Sequence, residues 1–423
     1  MKVTLAYGKH GLDIELPDGD VTVVEPQYIP GLPDEAAALR QALRRPIHSP
    51  PLRELVRRGQ TVSILFCDIT RPMPSGRVLP VLLEELEDAG VRREDITLIN
   101  ATGMHRANTE AELRGMLGDA IVENYRIVTH DAHDLASLRY LGQTRRGHPV
   151  WVNRHYLDAD VRILTGFIEP HFFAGFSGGP KMVVPGVAGA PTVMANHGAD
   201  MIAHPGATWA TLDGNPIWEE IAEAAAMTQP AFNLNVALNK EHAITAVFAG
   251  ELFASHRQGC AFVRQTAMRA VPRRFDIVIT TNSGYPLDQN VYQSVKGMAA
   301  AARVVKPGGT IICAAECADG VPEHGNYRRI LQMGKTPDEL LRLICSPGFS
   351  LFDQWQVQIQ AQIQQQARVY LKCELPDDVV RSTHFEPCDD ISALVRHLVR
   401  THGPHTSICV LPQGPQTVPY TDE

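Results

Sequence analysis

A histidine and a lysine lie within a glycine-rich segment between residues 164 and 189, which reads LTGFIEPHFFAGFSGGPKMVVPGVAG. His171 can transfer a proton near neutral pH, and Lys181 carries an amine that can form a covalent bond or pair with an anion. The glycines between them allow the backbone to approach a ligand closely and present N–H groups to an anion. A nucleotide-binding P-loop is disfavoured, because Lys181 is preceded by proline and followed by methionine, whereas that motif requires Gly-Lys-Ser/Thr. The segment therefore predicts proton transfer or covalent chemistry at a bound ligand.

Further short motifs carry groups suited to the same kind of chemistry. In DITRP, Asp68 offers an acceptor for sugar hydroxyls, Thr70 a hydroxyl, and Arg71 a planar set of donors for phosphate or carboxylate. The alternative for Asp68 is a turn in which it only caps the next element. His105 follows a glycine and a strand end in ATGMHR, which favours an exposed functional side chain. His197 in ANHGAD is, by itself, equally consistent with a helix-capping or core histidine.

One predicted helix carries Tyr292, Gln293 and Lys296. Lys296 lies among apolar residues, which indicates either a buried anionic partner or a lysine that extends along the surface to solvent. The HDAHD run at 130–134 is predicted to be a solvated loop. Histidines without suitable neighbours are predicted to lie at the surface: His148, His155, His242, His256, His384, His402 and His405.

Alternating strands and helices are predicted to position these groups. Apolar, β-branched runs predict strands at Thr61–Cys67, Ile96–Asn100, Ile127–Thr129 and Val161–Leu164, with a helix at Arg77–Ala89. This alternation is typical of a parallel sheet covered by helices. Asp68, His105 and His171 each follow a predicted strand, at the edge where open parallel sheets bind ligands. The sequence therefore predicts that these three side chains converge on one site.

A second set of alternating elements follows a break at VPRR, residues 271–274. Strands are predicted at Asp276–Thr280 and Thr310–Ala314, and helices at Asn290–Val305 and Gln354–Gln365. The N-terminus alternates apolar and polar residues like an edge strand or hairpin, and the final PQGPQTVPYTDE is predicted to be a surface tail. We therefore predict two α/β domains, residues 1–272 and 273–423.

Composition limits the class of protein. The chain has 423 residues, 44% of them hydrophobic, and a net charge of -8, which fits a globular protein and argues against a nucleic-acid-binding surface. No window approaches the roughly 18 apolar residues of a membrane span, and the N-terminus lacks the apolar core of a signal peptide. The eight cysteines include no CxxC pair, so neither a zinc ribbon nor a disulfide framework is indicated. We expect a cytoplasmic protein without a membrane or nucleic-acid partner.

Five motifs, taken in order along the chain, resemble those of the lactate racemase family, enzymes that interconvert 2-hydroxy acid enantiomers with a nickel-pincer nucleotide. The matching segments are DITRP (68–72), ATGMHR (101–106), EPHFFAGFSGGPK (169–181), NH (196–197) and YPLDQNVYQSVKGM (285–298). One glycine-rich loop alone would be weak support, but five ordered motifs with matching residue types are specific. No motif after residue 330 contributes to the resemblance.

The resemblance implies two α/β domains with parallel-rich sheets and an active site in the cleft between them. It also implies an isomerase, namely a racemase or epimerase of lactate or of a larger 2-hydroxy acid. The implied cofactor is a pyridinium-3,5-bisthiocarboxylic acid mononucleotide with nickel, which cofactor-synthesis proteins would supply. By motif, Lys181 would hold this cofactor through a covalent thioamide, and His197 would be the protein ligand to nickel. A ring carbon and two sulfurs would complete a square-planar site, a geometry that suits Ni(II).

Roles for the other candidates follow from the same resemblance. His105 and His171 would form the acid/base pair. The cofactor would be bound by Asp68, Ile69, Thr70 and Arg71. The substrate carboxylate would be bound by Arg71, Tyr292, Gln293 and Lys296.

Hydride transfer explains why these residue types are needed. Abstraction of the α-proton of a 2-hydroxy acid would give a dianionic carbanion, whereas loss of a hydride leaves a neutral keto group if an activated pyridinium accepts it. The hydroxyl proton must leave with the hydride, and an imidazole with an ordinary pKa of about 6.5 suits that task. Two enantiomers present their hydroxyls on different sides, so two histidines are expected.

Two alternatives stay open at the level of sequence. A zinc-dependent hydrolase would use His105, His171 and His197 as metal ligands, although the usual closely spaced ligand pairs are missing. A non-catalytic protein that binds 2-hydroxy acids or nucleotides would keep the fold. Such a protein would have little reason to retain Lys181 and His197 together with both proposed catalytic histidines.

Overall fold

The computed structural model describes residues 1–323 and 325–421 and shows an α/β protein with parallel-rich sheets, as predicted. The strands are β1 Lys2–Leu5, β2 Leu12–Glu15, β3 Val21–Val23, β4 Val62–Cys67, β5 Ile96–Ala101, β6 Arg126–Thr129, β7 Leu138–Gln143, β8 Pro149–Asn153, β9 Val161–Phe167, β10 Pro170–His171, β11 Gly175–Phe176, β12 Phe232–Leu238, β13 Ile244–Gly250, β14 Met268–Ala270, β15 Phe275–Thr281, β16 Val305–Ala314, β17 Ala367–Lys372, β18 Glu386–Pro387, β19 Ile408–Leu411 and β20 Val418–Tyr420.

The α-helices are α1 Glu35–Arg44, α2 Leu52–Leu55, α3 Ser75–Asp88, α4 Glu110–Leu117, α5 Asp119–Asn124, α6 Arg154–Leu157, α7 Ala190–Asn196, α8 Ala199–Ala203, α9 Pro216–Met227, α10 Leu252–Ala267, α11 Val291–Ala302, α12 Tyr327–Leu331, α13 Pro337–Ile344, α14 Gln354–Gln366, α15 Asp377–Ser382 and α16 Ile391–His402. Short 3-10 helices occur at Arg93–Asp95, Leu135–Ser137, Gly179–Met182 and Gly414–Gln416. None of the helices in the described part of the chain has the length and apolar character needed to cross a membrane.

The chain forms two compact units, and neither is continuous in sequence. We call residues Tyr28–His197 and His204–Arg264 the central unit. The terminal unit comprises Met1–Gln27, Gly198–Ala203 and Gln265–Glu423. The domain boundaries predicted from sequence, at 1–272 and 273–423, stay a prediction, as does the predicted cleft site.

The central unit is built on a six-stranded sheet of order β13-β12-β9-β4-β5-β6. Every pairing in it is parallel except that of β12 with β13. All six residues of β4 are buried. Strands of a parallel sheet are covered on both faces, which favours a continuous apolar run such as that of β4. The predicted strands at β4, β5, β6 and β9 and the predicted helix at α3 are thereby confirmed.

The terminal unit contains a second six-stranded sheet, of order β18-β17-β16-β15-β19-β3, with parallel pairings throughout. Its core packs sheet residues such as Ile279 and Val410 against Val395 of α16 and Leu5 of the β1–β2 hairpin. The antiparallel pairing of β1 with β2 confirms the predicted N-terminal hairpin. Strand β3 pairs with β19, so the start of the chain lies beside residues near its end.

Two details predicted for the terminal unit were wrong. The helix predicted over Asn290–Val305 is confirmed as α11, but it ends at Ala302, and Val305 begins β16. The pairing of β16 with β15 is irregular between Val305 and Thr310, where the Pro-Gly-Gly run lies. The predicted surface tail is largely packed: β20 pairs with β14, and Val418 is fully buried. The last two residues of that tail lie outside the described residues.

Candidate functional site

Three of the motifs meet at one edge of the central sheet. Strand β4 pairs in parallel with both β5 and β9, so the carboxyl ends of these strands lie together. Asp68 directly follows β4, and its Oδ2 lies 2.7 Å from Nδ1 of His105, which follows β5. The glycine-rich segment that follows β9 contacts both motifs, since Met182 Sδ lies 3.7 Å from Cys67 Sγ and Gly186 O accepts the N–H of Gly103 at 2.9 Å.

The Asp68–His105 pair has the geometry of an oriented base. Asp68 is 4% exposed, while the His105 side chain is 31% exposed. A carboxylate at Nδ1 fixes the proton of neutral His105 on that nitrogen and leaves Nε2 as the basic atom. The pair can therefore accept a proton at Nε2 and stabilise the imidazolium that forms.

Neighbouring donors keep Asp68 ionised. Burial alone would raise the pKa of Asp68, but His105, Arg71 and Thr70 together hold it below its ordinary value. Thr70 Oγ1 donates to Asp68 Oδ1 at 2.7 Å, and Arg71 Nη1 donates to Thr70 Oγ1 at 3.1 Å. Arg71 Nε also lies 4.0 Å from Glu169 Oε1, and Ile69 is half-buried in the same turn. The turn thus presents a guanidinium beside a fixed carboxylate–imidazole pair.

The glycine-rich segment places Lys181 in a buried 3-10 turn. Strands β10 and β11 form a short hairpin, after which Gly178 and Gly179 take φ values of 71° and 49°. A Cβ atom on Gly178 would lie 2.5 Å from Oδ1 of Asn235, so only glycine fits this approach. Lys181 follows in the 3-10 helix and is 9% exposed.

Lys181, His171 and His197 surround the ring of Phe173. The Phe173 centroid lies 4.5 Å from the His171 ring, 5.0 Å from the His197 ring and 5.6 Å from Lys181 Nζ. Lys181 Nζ is 3.4 Å from His171 Nε2. The N–H of Ala174 donates to His171 Nδ1 at 3.2 Å, so a neutral His171 carries its proton on Nε2, towards the amine. This cluster joins a proton-transfer group, an amine and a second imidazole.

His197 is held as a neutral imidazole. It caps the C-terminal end of α7 and is 4% exposed. Burial, and secondarily the charge of Lys181, lowers the pKa of His197 to about 3. A neutral imidazole retains the lone pair that a metal ligand needs.

Within residues 1–323 and 325–421, no group of three His, Cys, Asp or Glu side chains could hold a metal ion. The zinc site proposed from sequence requires His105, His171 and His197 to form such a group, so this alternative is wrong. A metal at His197 would need most of its donors from a bound cofactor.

The other predicted site residues lie on α11 of the terminal unit. Helix α11 begins after Asn290, whose side chain accepts the N–H of Gln293 at 3.0 Å. Gln293 is 7% exposed, and its Oε1 is buried and has no hydrogen-bond partner among the residues that the structure describes. Tyr292 Oη accepts a hydrogen bond from Nε1 of Trp355 at 3.0 Å, and Lys296 is half-buried. An unsatisfied buried amide oxygen indicates a ligand or water at this position.

Family models decide the relationship of the chain to known proteins. The lactate racemase N-terminal domain matches residues 7–210, and the lactate racemase C-terminal domain matches residues 271–418. The chain belongs to the lactate racemase family. It is therefore an isomerase of the racemase type that acts on a small-molecule substrate, and the family implies a cofactor.

Relatives in the lactate racemase family align over most of the chain. The lactate racemase of Thermoanaerobacterium thermosaccharolyticum is 36% identical over 420 residues, covering 97% of this chain and 97% of that protein. The lactate racemase of Lactiplantibacillus plantarum is 38% identical over 383 residues, covering 90% of each.

Solved structures agree with this relationship. The lactate racemase apoprotein of T. thermosaccharolyticum superimposes with a TM-score of 0.91 at 34% identity, covering 99% of this chain and 100% of that one. A Thermotoga maritima protein gives a TM-score of 0.73 at 19% identity, covering 93% of this chain and 100% of that one, and shows a shared fold.

Two histidines near the candidate site were misjudged from sequence. His130 was predicted to lie in a solvated loop and His256 at the surface, yet they are 3% and 0% exposed. Both donate towards backbone carbonyls of the glycine-rich segment. The residues next to them in sequence do not indicate this burial. For His256, the one available indication is Cys260, which follows one helical turn later on the same buried helix face.

The remaining histidines are closer to expectation. His155, His402 and His405 are exposed, as predicted. Half-buried positions are instead found for His148, His242 and His384. His148 Nδ1 lies 2.8 Å from the buried Glu220, which explains its partial burial.

Proposed function

We propose that the chain interconverts the enantiomers of a 2-hydroxy acid, with lactate as the default substrate, by reversible transfer of the C2 hydride to a nickel-pincer pyridinium nucleotide. The grouping of Lys181, His171 and His197 around Phe173 carries this proposal. The named lactate racemases that align with the chain support lactate as substrate.

The residues present fit such a cofactor. Lys181 offers a buried amine for covalent attachment, and its Nζ lies 3.4 Å from Nε2 of His171. His197 offers one neutral nitrogen to nickel, and no group of three or more His, Cys, Asp or Glu side chains among the described residues could hold the metal by itself. When bound, the nucleotide supplies the hydride acceptor and the other donors to the metal. Cofactor-synthesis proteins are the partners that this loading requires.

The acid/base work falls to His105 and His171. His105 Nε2 takes the hydroxyl proton of one enantiomer, and Asp68 stabilises the resulting imidazolium at 2.7 Å. We assign the same step for the other enantiomer, whose hydroxyl points to the opposite side, to Nε2 of His171. This step requires the tautomer with the proton on Nδ1, in which the hydrogen bond from the N–H of Ala174 is given up. Two bases on separate segments therefore suit a reaction that runs in both directions.

Carboxylate binding keeps the keto intermediate in place. Arg71, held by Thr70, offers a guanidinium to the cofactor or to the substrate carboxylate. We assign Gln293, Lys296 and Tyr292 to the substrate carboxylate as well, with Gln293 donating through its Nε2 group. Its Oε1, which has no partner among the described residues, would then accept from a hydroxyl group or water. Asp68, Ile69 and Thr70 line the turn that would contact the cofactor.

A labelled substrate tests the hydride step. Loaded enzyme is given one lactate enantiomer deuterated at C2 in ordinary water, and mass spectrometry follows the other enantiomer as it forms. We expect the product to retain the deuterium. Replacement of the deuterium by solvent hydrogen at the rate of racemisation would refute hydride transfer.

Attachment at Lys181 is tested separately. Chain produced with the cofactor-synthesis proteins is expected to carry an added mass on the peptide containing Lys181. Lys181→Ala should lose both the added mass and the activity. A Lys181→Ala variant with full activity would refute covalent attachment. A cofactor-loaded wild-type chain that binds 2-hydroxy acids without converting them would instead support the non-catalytic alternative.

A further inference from the structure

Two buried histidines contact opposite ends of the segment that presents Lys181. We call residues 177–188 the lysine segment. His256 on α10 places Nε2 2.9 Å from the carbonyl oxygen of Ser177, at the start of this segment. His130, which follows β6, places Nε2 3.0 Å from the carbonyl oxygen of Ala188, at its end.

Both imidazoles must donate through Nε2. A carbonyl oxygen only accepts, so each contact requires a proton on Nε2. For His130, the amide of Asn153 lies 3.1 Å from Nδ1 and donates to it, which fixes this tautomer. Burial lowers the pKa of His130 and of His256 to about 4, so both rings are neutral and carry a single N–H near neutral pH.

The lysine segment is shaped to receive these side chains. A Cβ atom on Gly179 would lie 2.5 Å from a ring carbon of His256, so the glycine allows the imidazole to reach Ser177. The N–H of Gly179 also donates to Oδ1 of the buried Asn235 at 3.0 Å. Lys181 lies two residues further on, and its own N–H donates to Gly178 O at 3.1 Å. A shift of the segment would therefore move the lysine backbone.

We propose that His130 and His256 are positioning residues for Lys181, which fix the lysine segment so that the amine meets the cofactor at the correct place. This inference rests on the proposed function, because attachment at Lys181 gives the positioning its purpose. Bond formation depends on holding the reacting groups close to their productive geometry, and a displacement of about 1 Å can lower a rate by about 100-fold.

Paired substitutions separate the hydrogen bond from the volume of the ring. His130→Leu and His256→Leu remove the donor, whereas His130→Gln and His256→Gln keep an amide N–H near the position of Nε2. His133→Leu, at an exposed position in the same turn as His130, and Gln258→Leu, at an exposed position on α10, are the matched controls. If a leucine variant does not fold, the corresponding asparagine variant replaces it, since the shorter amide does not reach the carbonyl.

Hydrogen exchange of the cofactor-free chain is the first readout. Loss of the donor leaves a buried carbonyl unsatisfied, so we expect peptides from 177–188 to exchange about tenfold faster or more in the leucine variants. The glutamine variants should return to within about threefold of the wild type, and the controls should not change. Unchanged exchange in the leucine variants, or an equal increase across the whole central unit, would overturn the positioning role.

The second readout is the rate at which the mass adduct appears on Lys181 in the presence of the cofactor-synthesis proteins. The leucine variants should acquire it about tenfold more slowly or worse, with rescue by glutamine. Equal rates in all variants would overturn the proposal while leaving the proposed function intact. A wild-type chain without any adduct would refute covalent attachment itself, and the exchange data would show whether the segment is nevertheless held by the two histidines.

Discussion

Replacement of Asp68 by asparagine isolates the electrostatic support of His105. Asparagine keeps the size of the side chain and one neutral hydrogen bond, but it removes the negative charge whose Oδ2 lies 2.7 Å from Nδ1. The amide can also present its NH2 group, which would favour the tautomer with the proton on Nε2. Either change weakens His105 as a base at Nε2.

Coulomb's law sets the size of the effect. For charge centres about 4 Å apart and an effective dielectric constant of about 20, the imidazolium gains about 4 kcal/mol from the carboxylate. The retained neutral hydrogen bond offsets about 1 kcal/mol of this. The remaining loss of about 3 kcal/mol corresponds to a fall of about 100-fold in kcat. Because the His105 side chain is 31% exposed, water screens the charge, and this figure is close to an upper value for the Coulomb effect alone.

The assay measures racemisation in both directions, per mole of chain that carries the adduct. Thr70→Val is the matched control, since it removes a neutral donor to the same carboxylate and should lower kcat by less than about tenfold. Normalisation to loaded chain matters because Asp68 also belongs to the turn assigned to cofactor binding. A variant that loses adduct but keeps wild-type kcat per loaded chain would refute the orienting role of Asp68.

Further predictions concern acid stability, substrate binding and the metal. The pKa of His130 and of His256 is about 4 in the folded chain and about 6.5 in the unfolded chain, so the unfolded chain binds more protons between these pH values. The free energy of unfolding should therefore fall as the pH drops from about 6.5 to 4, by up to about 3 kcal/mol for each residue. Denaturant titrations should show a weaker pH dependence in the His130→Gln/His256→Gln double variant, and an unchanged dependence would contradict this origin. Lys296→Met should raise KM by about tenfold to 100-fold with the adduct retained, because a charge-assisted contact to the carboxylate is lost, whereas an unaltered KM would remove Lys296 from the site. His197→Ala should lower the nickel content of the chain while the covalent adduct remains, and full nickel occupancy in this variant would show that another ligand holds the metal.

Much of the sheet framework was predictable from local patterns. The continuous apolar run at β4 and the leucine spacing of α3 report burial directly, because the periodicity of side chains follows the backbone of each element. The order of strands along the chain also predicted that Asp68 and His105 would lie together, and the structure places them 2.7 Å apart. The C-terminal residues of β20 were misjudged, since their polar and proline-rich composition is typical of a tail, and only pairing with β14 buries them.

The sequence by itself determined which reactive groups the proposed chemistry can use, because residue types are read directly from it: an amine at Lys181, imidazoles at His105, His171 and His197, and a carboxylate at Asp68. The tertiary structure alone decided which further histidines contact the lysine segment. His130 and His256 look ordinary in sequence, and their burial arises from contacts with residues that are distant along the chain, 58 positions away for His130 and 79 for His256. Burial and hydrogen-bond geometry are properties of such long-range packing, so local sequence does not encode them in a readable form.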